Sequence, residues 1–189
     1  IVIVVILVVL GIVGVVMYNS LIQTRNKVEE AWAQISVQLK RRHDLIPPLV
    51  STVKGYATHE KGTFEAVTQA RNAAINAMGS RQAEEQLSGA LKGLFAISEN
   101  YPDLKASTNF VQLQEQLVDT EDRIAFARQY YNDVVRQGNT KIQSVPTNIF
   151  ANMMKAEEAE YFEIQDITAA RYNEALSAED ASKPPNVEF

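Results

Sequence analysis

The sequence predicts an all-α protein: an N-terminal transmembrane helix continuing into an antiparallel four-helix bundle, its long first helix bent near Pro47-Pro48. Three observations predict it. Residues 1–17, "IVIVVILVVLGIVGVVM", carry no charge and almost nothing polar. Beyond them, apolar residues recur at alternating steps of three and four, the spacing of one helix face. Alternating apolar and polar runs, the mark of half-buried strands, are nearly absent. The boundaries that follow are 1–20 for the anchor, 21–150 for the bundle, and 151–189 for a weakly helical segment with a flexible tail.

Seventeen helical residues span roughly 26 Å, slightly less than the ~30 Å hydrocarbon core. The sequence begins with Ile rather than Met, so the span is expected to extend upstream. Ile1, Leu7, Leu10 and Val16 are the expected lipid-facing anchor, with Tyr18 the interfacial aromatic. A cleavable signal peptide is the rival reading, but "GVVMYNS" offers no small-x-small site and the helical pattern runs on past it. Arg25, Lys27, Lys40, Arg41 and Arg42 follow the span. The positive-inside rule then places the large domain of this single-pass membrane protein in the cytoplasm. Lysines upstream of Ile1 would reverse that.

From Tyr18 to Tyr56 one heptad row runs through Leu21, Arg25, Val28, Trp32, Ile35, Leu39, Arg42, Ile46, Leu49 and Val53. Val28, Trp32, Ile35, Leu39 and Leu49 are its predicted core residues. The row keeps phase across Pro47-Pro48, which favours a bend over a break, although each proline removes a helical donor. A true break with a new helix near Pro47 is the alternative.

"THEKGT" (58–63) predicts a turn. Phe64, Val67, Arg71, Ala74 and Met78 then form a second helix ending at Gly79-Ser80. Leu87, Leu91, Leu94 and Phe95 mark one side of a third. "ENYPDLKAS" is a predicted loop around Pro102, with Ser107, Thr108 or Asn109 as a cap. The fourth helix carries Phe110, Leu113, Leu117, Ile124 and Tyr131 as core and is expected to end at "QGN" (137–139). "KIQSVPTNIF" is irregular. Residues 151–176 are weakly helical, with Met153, Met154, Phe162 and Ile167, and "SAEDASKPPNVEF" reads as an acidic tail.

Net charge is −5 with a pI near 5.1, which argues against nucleic-acid binding. With no cysteine, disulfide scaffolds, thiol nucleophiles and thiolate zinc sites are excluded. His43-Asp44 and His59-Glu60 are the only candidates for metal or acid–base work. Sequence neighbours on a helix point about 100° apart, so neither pair is preset to chelate. No catalytic, cofactor-binding or metal residue is assigned. Arg25, Arg42 and Arg71 interrupt the heptad rows and are candidates for a buried ion network with Glu115, Glu121 or Asp122. Snorkelling of their stems is the plainer reading. Lys40-Arg41-Arg42 lies roughly 34 Å along a straight helix from Met17, too far to reach headgroups without tilt.

Several stretches together carry a resemblance: "YNSLIQTRNKVEEAW", "QISVQLKRRHDLIPPLVSTVKGYATHE", "FEAVTQAR", "ENYPDLKA", "LQEQLVDTEDRIAFARQYYND" and the terminal "PPNVEF". The chain resembles the LemA family of bacterial membrane-anchored proteins over nearly its whole length. The resemblance implies a transmembrane helix followed by a cytosolic or periplasmic four-helix domain, and implies no reaction centre. Pro48 stands where the family usually has asparagine, and residues 153–177 are longer than its norm and lack its usual Gly-Phe pair.

Val111, Val118 and Ala125 make a second apolar row beside the core row of the fourth helix. A second stripe can serve a neighbouring subunit, so the expected function is a self-associating, non-catalytic scaffold at the bacterial membrane. The expected partners are the lipid bilayer and further copies of the chain. An adaptor for another membrane protein is the alternative, and a metal-dependent enzyme using His43 and His59 the remote one.

Overall fold

The computed structural model describes residues 1–162, and among these the regular structure is helical throughout. Helix α1 (Val2–Tyr56) is continuous from the apolar N-terminus through both prolines. It is followed by α2 (Lys61–Asn76), α3 (Arg81–Ser98), the single turn α4 (Pro102–Lys105), α5 (Thr108–Gln143) and the short α6 (Thr147–Met153). Leu104 of α4 is buried inside the stretch expected to be loop.

Helix α1 is long and, near its N-terminus, apolar enough to cross a membrane. Nearly every side chain there is exposed, including Ile1, Leu7, Leu10, Val16 and Tyr18, as lipid contact requires. From Leu21 onward α1 packs along α5, which runs antiparallel to it: Thr24 lies beside Gly138, and Arg42 beside Glu121. The α2–α3 hairpin covers only the far half of this pair. Four helices therefore share one distal core, of Ile46, Leu49 and Val53 with Phe64, Val67, Leu87, Leu94, Phe110 and Leu117. The near half is built differently. There Ala31, Ile35 and Leu39 meet Ile124, Tyr131, Val134 and Val135, and a non-helical segment that includes Ala159 and Phe162 closes the side.

Ile35, Leu39, Leu49, Phe110, Leu117, Ile124 and Tyr131 are buried, while Val28 and Leu113 are half-buried at the core margin. Trp32 and Tyr56 differ from the heptad reading. Trp32 is 36% exposed and Tyr56 45%, and the inward positions fall to Ala31 and Ala57. A helix of 3.6 residues per turn drifts out of a 3.5-residue row by about 20° per heptad. The drift turns Trp32 to the rim, where it meets Tyr131 edge-on and Phe162 at 5.8 Å.

The expected end of the fourth helix is also corrected. Helix α5 continues through Gly138 and Asn139 to Gln143. A Cβ on Gly138 would stand 3.0 Å from Thr24 Cγ2, so this glycine permits close helix crossing instead of stopping the helix. The segment expected to be weakly helical departs from that expectation after Met153: residues 156–162 are not helical. Ile167 and the acidic tail lie outside the described residues.

Candidate functional site: a buried charge layer and an asparagine clamp

The distal and proximal cores are separated on α1 by Arg42 and His43, which lie between Leu39 and Ile46 in the buried row. Both are essentially inaccessible, at 2% and 1% exposure. Arg42 Nη1 donates to Glu84 Oε2 at 2.9 Å and Nη2 to Ser88 Oγ at 2.6 Å. Its Nε approaches Glu121 Oε1 at 2.8 Å as an ion pair without good hydrogen-bond alignment. Glu84 is equally buried, and its other oxygen faces His43 Nε2 at 3.0 Å. A carboxylate only accepts, so Nε2 carries the hydrogen. His43 Nδ1 has no hydrogen-bond partner among the described residues.

Arg71 joins from α2, its Nε donating to the main-chain carbonyl of His43 at 2.7 Å. Arg128 lies nearby on α5. Burial lowers its pKa, opposed by the carboxylates of Glu121 and Glu84, and its guanidinium stacks 4.6 Å from the Phe162 ring centroid. The layer thus ties α1 to α2, α3 and α5.

Of the arginines expected in a buried network, Arg42 and Arg71 lie here and Arg25 does not. Arg25 is 76% exposed and pairs with Glu29 one turn on. It sits below the α2–α3 hairpin, on the rim of a cavity lined by Val28, Gly138 and Met154. Glu121, itself exposed at 47%, is the acid that α5 supplies to Arg42, and Glu115 and Asp122 are exposed too. Sequence reasoning missed Glu84 and Ser88. The usable signal was an acid four residues before a serine on the apolar side of α3, beside Leu87 and Leu91.

The second feature had no counterpart in the sequence reading. Asn132 and Asn139 stand seven residues apart on α5, hence on one face. Asn132 Nδ2 donates to the Phe162 carbonyl at 3.0 Å, and Phe162 N–H donates back to Oδ1 at 2.8 Å. Asn139 does the same with Ala159, at 2.9 and 3.0 Å. Seven helical residues rise about 10.5 Å, and three residues of polyproline-like chain about 9.3 Å, so the two spacings match. Ala156, Ala159 and Phe162 face inward, every third residue. Tyr131 Oη adds a bond to the Glu160 carbonyl. Phe162 then fills a niche of Trp32, Tyr131 and Arg128.

His59 is exposed beyond the end of α1, with about 20 Å of helix between His43 and Tyr56. The structure does not bring the two histidines together, and no cluster of three metal-ligating side chains occurs among the described residues.

A long apolar N-terminal helix leading into an all-helical body defines a membrane-associated helical protein. The LemA family's sequence model matches residues 31–176, and the chain belongs to the LemA family. It is 28% identical over 156 residues to Protein LemA of Metamycoplasma hominis, covering 79% of this chain and 70% of that one. It is 27% identical over 177 residues to magnetosome protein MamQ 2 of Paramagnetospirillum magneticum, and 24% over 174 to magnetosome protein MamQ of Magnetospirillum gryphiswaldense. In both cases 77% of this chain is covered, and it spans 64% of the relative's length.

Proposed function

We propose that this chain is a single-pass, non-catalytic scaffold of the bacterial membrane, in which α1, α2, α3 and α5 form a four-helix bundle that self-associates side by side. The observation that carries the reading is an apolar strip on the α1–α5 face that is exposed among the described residues. Phe126 is 74% exposed, Val37 62%, Val118 57% and Val111 39%. Phe126 and Val37 line one shallow groove with Ala33 and Ala127, rimmed by Glu30, Asp119 and Arg123. Large apolar side chains gathered between charges suit a protein interface. Anchoring confines every copy to two dimensions in parallel orientation, which raises the effective concentration of such faces. The charge layer, whose buried cation and carboxylate pair with each other, serves in this reading as a register pin and not as a reaction centre. The soluble body lies in the cytoplasm, as the basic residues after the anchor favour.

The test is native mass spectrometry of the detergent-extracted full chain, with and without Phe126→Asp. Oligomers that Phe126→Asp dissolves are expected. Monomers of the unchanged chain at micromolar concentration overturn self-association, and a monomer carrying a stoichiometric second protein points to the adaptor.

A further inference from the structure

The stretch 144–155, "SVPTNIFANMMK", contains no carboxylate and ends in a lysine. It includes α6, a helix too short to be stable alone. What positions α6 is the anchor. Phe150 packs on α1 at Gly14, where a Cβ would meet the phenyl ring at 3.2 Å. Ala151 is buried, and its carbonyl accepts from Ala156 N–H at 2.9 Å.

That leaves the opposite side unaccounted for. Val145 is 78% exposed, Ile149 65% and Met153 76%. In water such a surface is unfavourable. Its neighbour is the apolar span itself. Gly14 lies four residues, about 6 Å, to the apolar side of Tyr18 along the helix. If Tyr18 marks the membrane–water boundary, α6 stands at the depth where interfacial helices bury their apolar faces. Lys155 and Lys141, the latter donating to Thr24 Oγ1 at 3.1 Å, are exposed on either side of it, within reach of anionic headgroups. The acids begin only at Glu157, where the chain turns along α5.

We infer that Val145, Ile149 and Met153 form a membrane-inserted foot: α6 lies in the headgroup–acyl boundary beside the anchor, with lipid hydrocarbon as its ligand. The foot gives the rod a second, lateral attachment to the bilayer and so fixes its rotation about the anchor axis. The inference rests on α1 crossing the bilayer and does not depend on self-association.

The cysteine-free sequence makes the test direct. Single-cysteine variants Ile149→Cys, Met153→Cys, Ile6→Cys and Val37→Cys, all at exposed positions, are labelled with an environment-sensitive fluorophore. Each full chain is reconstituted into phosphatidylcholine–phosphatidylglycerol vesicles containing doxyl lipid, with helicity checked by circular dichroism. The expected result is blue-shifted emission and strong doxyl quenching at 149 and 153, close to that at 6 and several-fold above that at 37. Quenching at 6 but not at both 149 and 153 overturns the foot and leaves the anchor standing. Absence of quenching at 6 overturns the anchor and the foot together. Quenching at 37 equal to that at 149 and 153 also overturns the foot, because the label is then not reporting a local surface.

Discussion

Arg71 Nε donates at 2.7 Å to the carbonyl of His43, the carbonyl that Pro47 leaves without a helical donor. A guanidinium from α2 thus takes the place of the missing N–H four residues on. This contact satisfies one of the two carbonyls that the prolines orphan in a helix that stays continuous through both. Thr52 Oγ1 adds a bond to the Pro48 carbonyl at 2.9 Å. Arg71→Met is expected to destabilise the fold by about 1–3 kcal/mol, since it strands a largely buried acceptor. In a Pro47→Ala background the helix supplies its own donor, and the same change should have a much smaller effect. A double-mutant cycle in urea measures the coupling, and additive effects would refute this pairing.

Among the described residues Glu84 is the only carboxylate shared by Arg42 and His43, and all three side chains are buried. Glu84→Ala is expected to destabilise by about 3–5 kcal/mol, because it leaves buried donors uncompensated. Replacing the group as a whole, with Arg42→Met, His43→Leu and Glu84→Leu together, is expected to recover most of that loss. Urea midpoints of the two variants decide the matter. Equal destabilisation would mean that the layer contributes more than mutual neutralisation. If the layer is a register pin, the triple variant should also show broadened side-chain NMR signals despite its recovered midpoint.

The helices were legible in the sequence because a 3.6-residue period leaves apolar marks wherever one face is buried. The row Phe110, Leu117, Ile124 and Tyr131 is such a case. What was illegible depends on relationships that periodicity does not encode. Gly138 reads as a stop signal, yet it is the contact point for Thr24. Trp32 reads as core, yet it needs Phe162, 130 residues away, to complete its packing. Residues 156–162 gain their order from two asparagine side chains, and a backbone-to-side-chain bond leaves no hydrophobic pattern. The Arg42 layer was half legible: a cation in an apolar row demands a partner, but identifying Glu84 required knowing how α3 turns against α1.

The clamp predicts a particular response. In Asn132→Asp the donor to the Phe162 carbonyl is replaced by a carboxylate oxygen, so acceptor faces acceptor. Each aspartate variant at 132 or 139 is expected to destabilise the segment's docking by about 1–3 kcal/mol. Combined, they should release it without unfolding α1 and α5. Trp32, the single tryptophan, loses Phe162 from its side and should report the release as a red shift. Limited proteolysis should open a new site between Met154 and Phe162. An unchanged tryptophan spectrum in the double variant would show that Phe162 docks by packing alone.

The same junction sets a pH limit. Burial raises the pKa of Tyr131, with a smaller contribution from the Glu160 carboxylate. A tyrosine whose folded pKa exceeds its unfolded value contributes stability that is complete below about pH 10, the unfolded value. That contribution disappears as pH rises through the folded value, because the unfolded chain releases its proton first. The phenol also donates to the Glu160 carbonyl at 3.0 Å, and ionisation removes that donor. Urea midpoints should therefore hold steady from neutral pH to about pH 10 and fall beyond it. Tyr131→Phe should lower the neutral-pH midpoint modestly, through loss of one hydrogen bond, and make the alkaline decline shallower. Parallel declines in the two proteins would assign the alkaline loss to other groups and remove Tyr131 from the account.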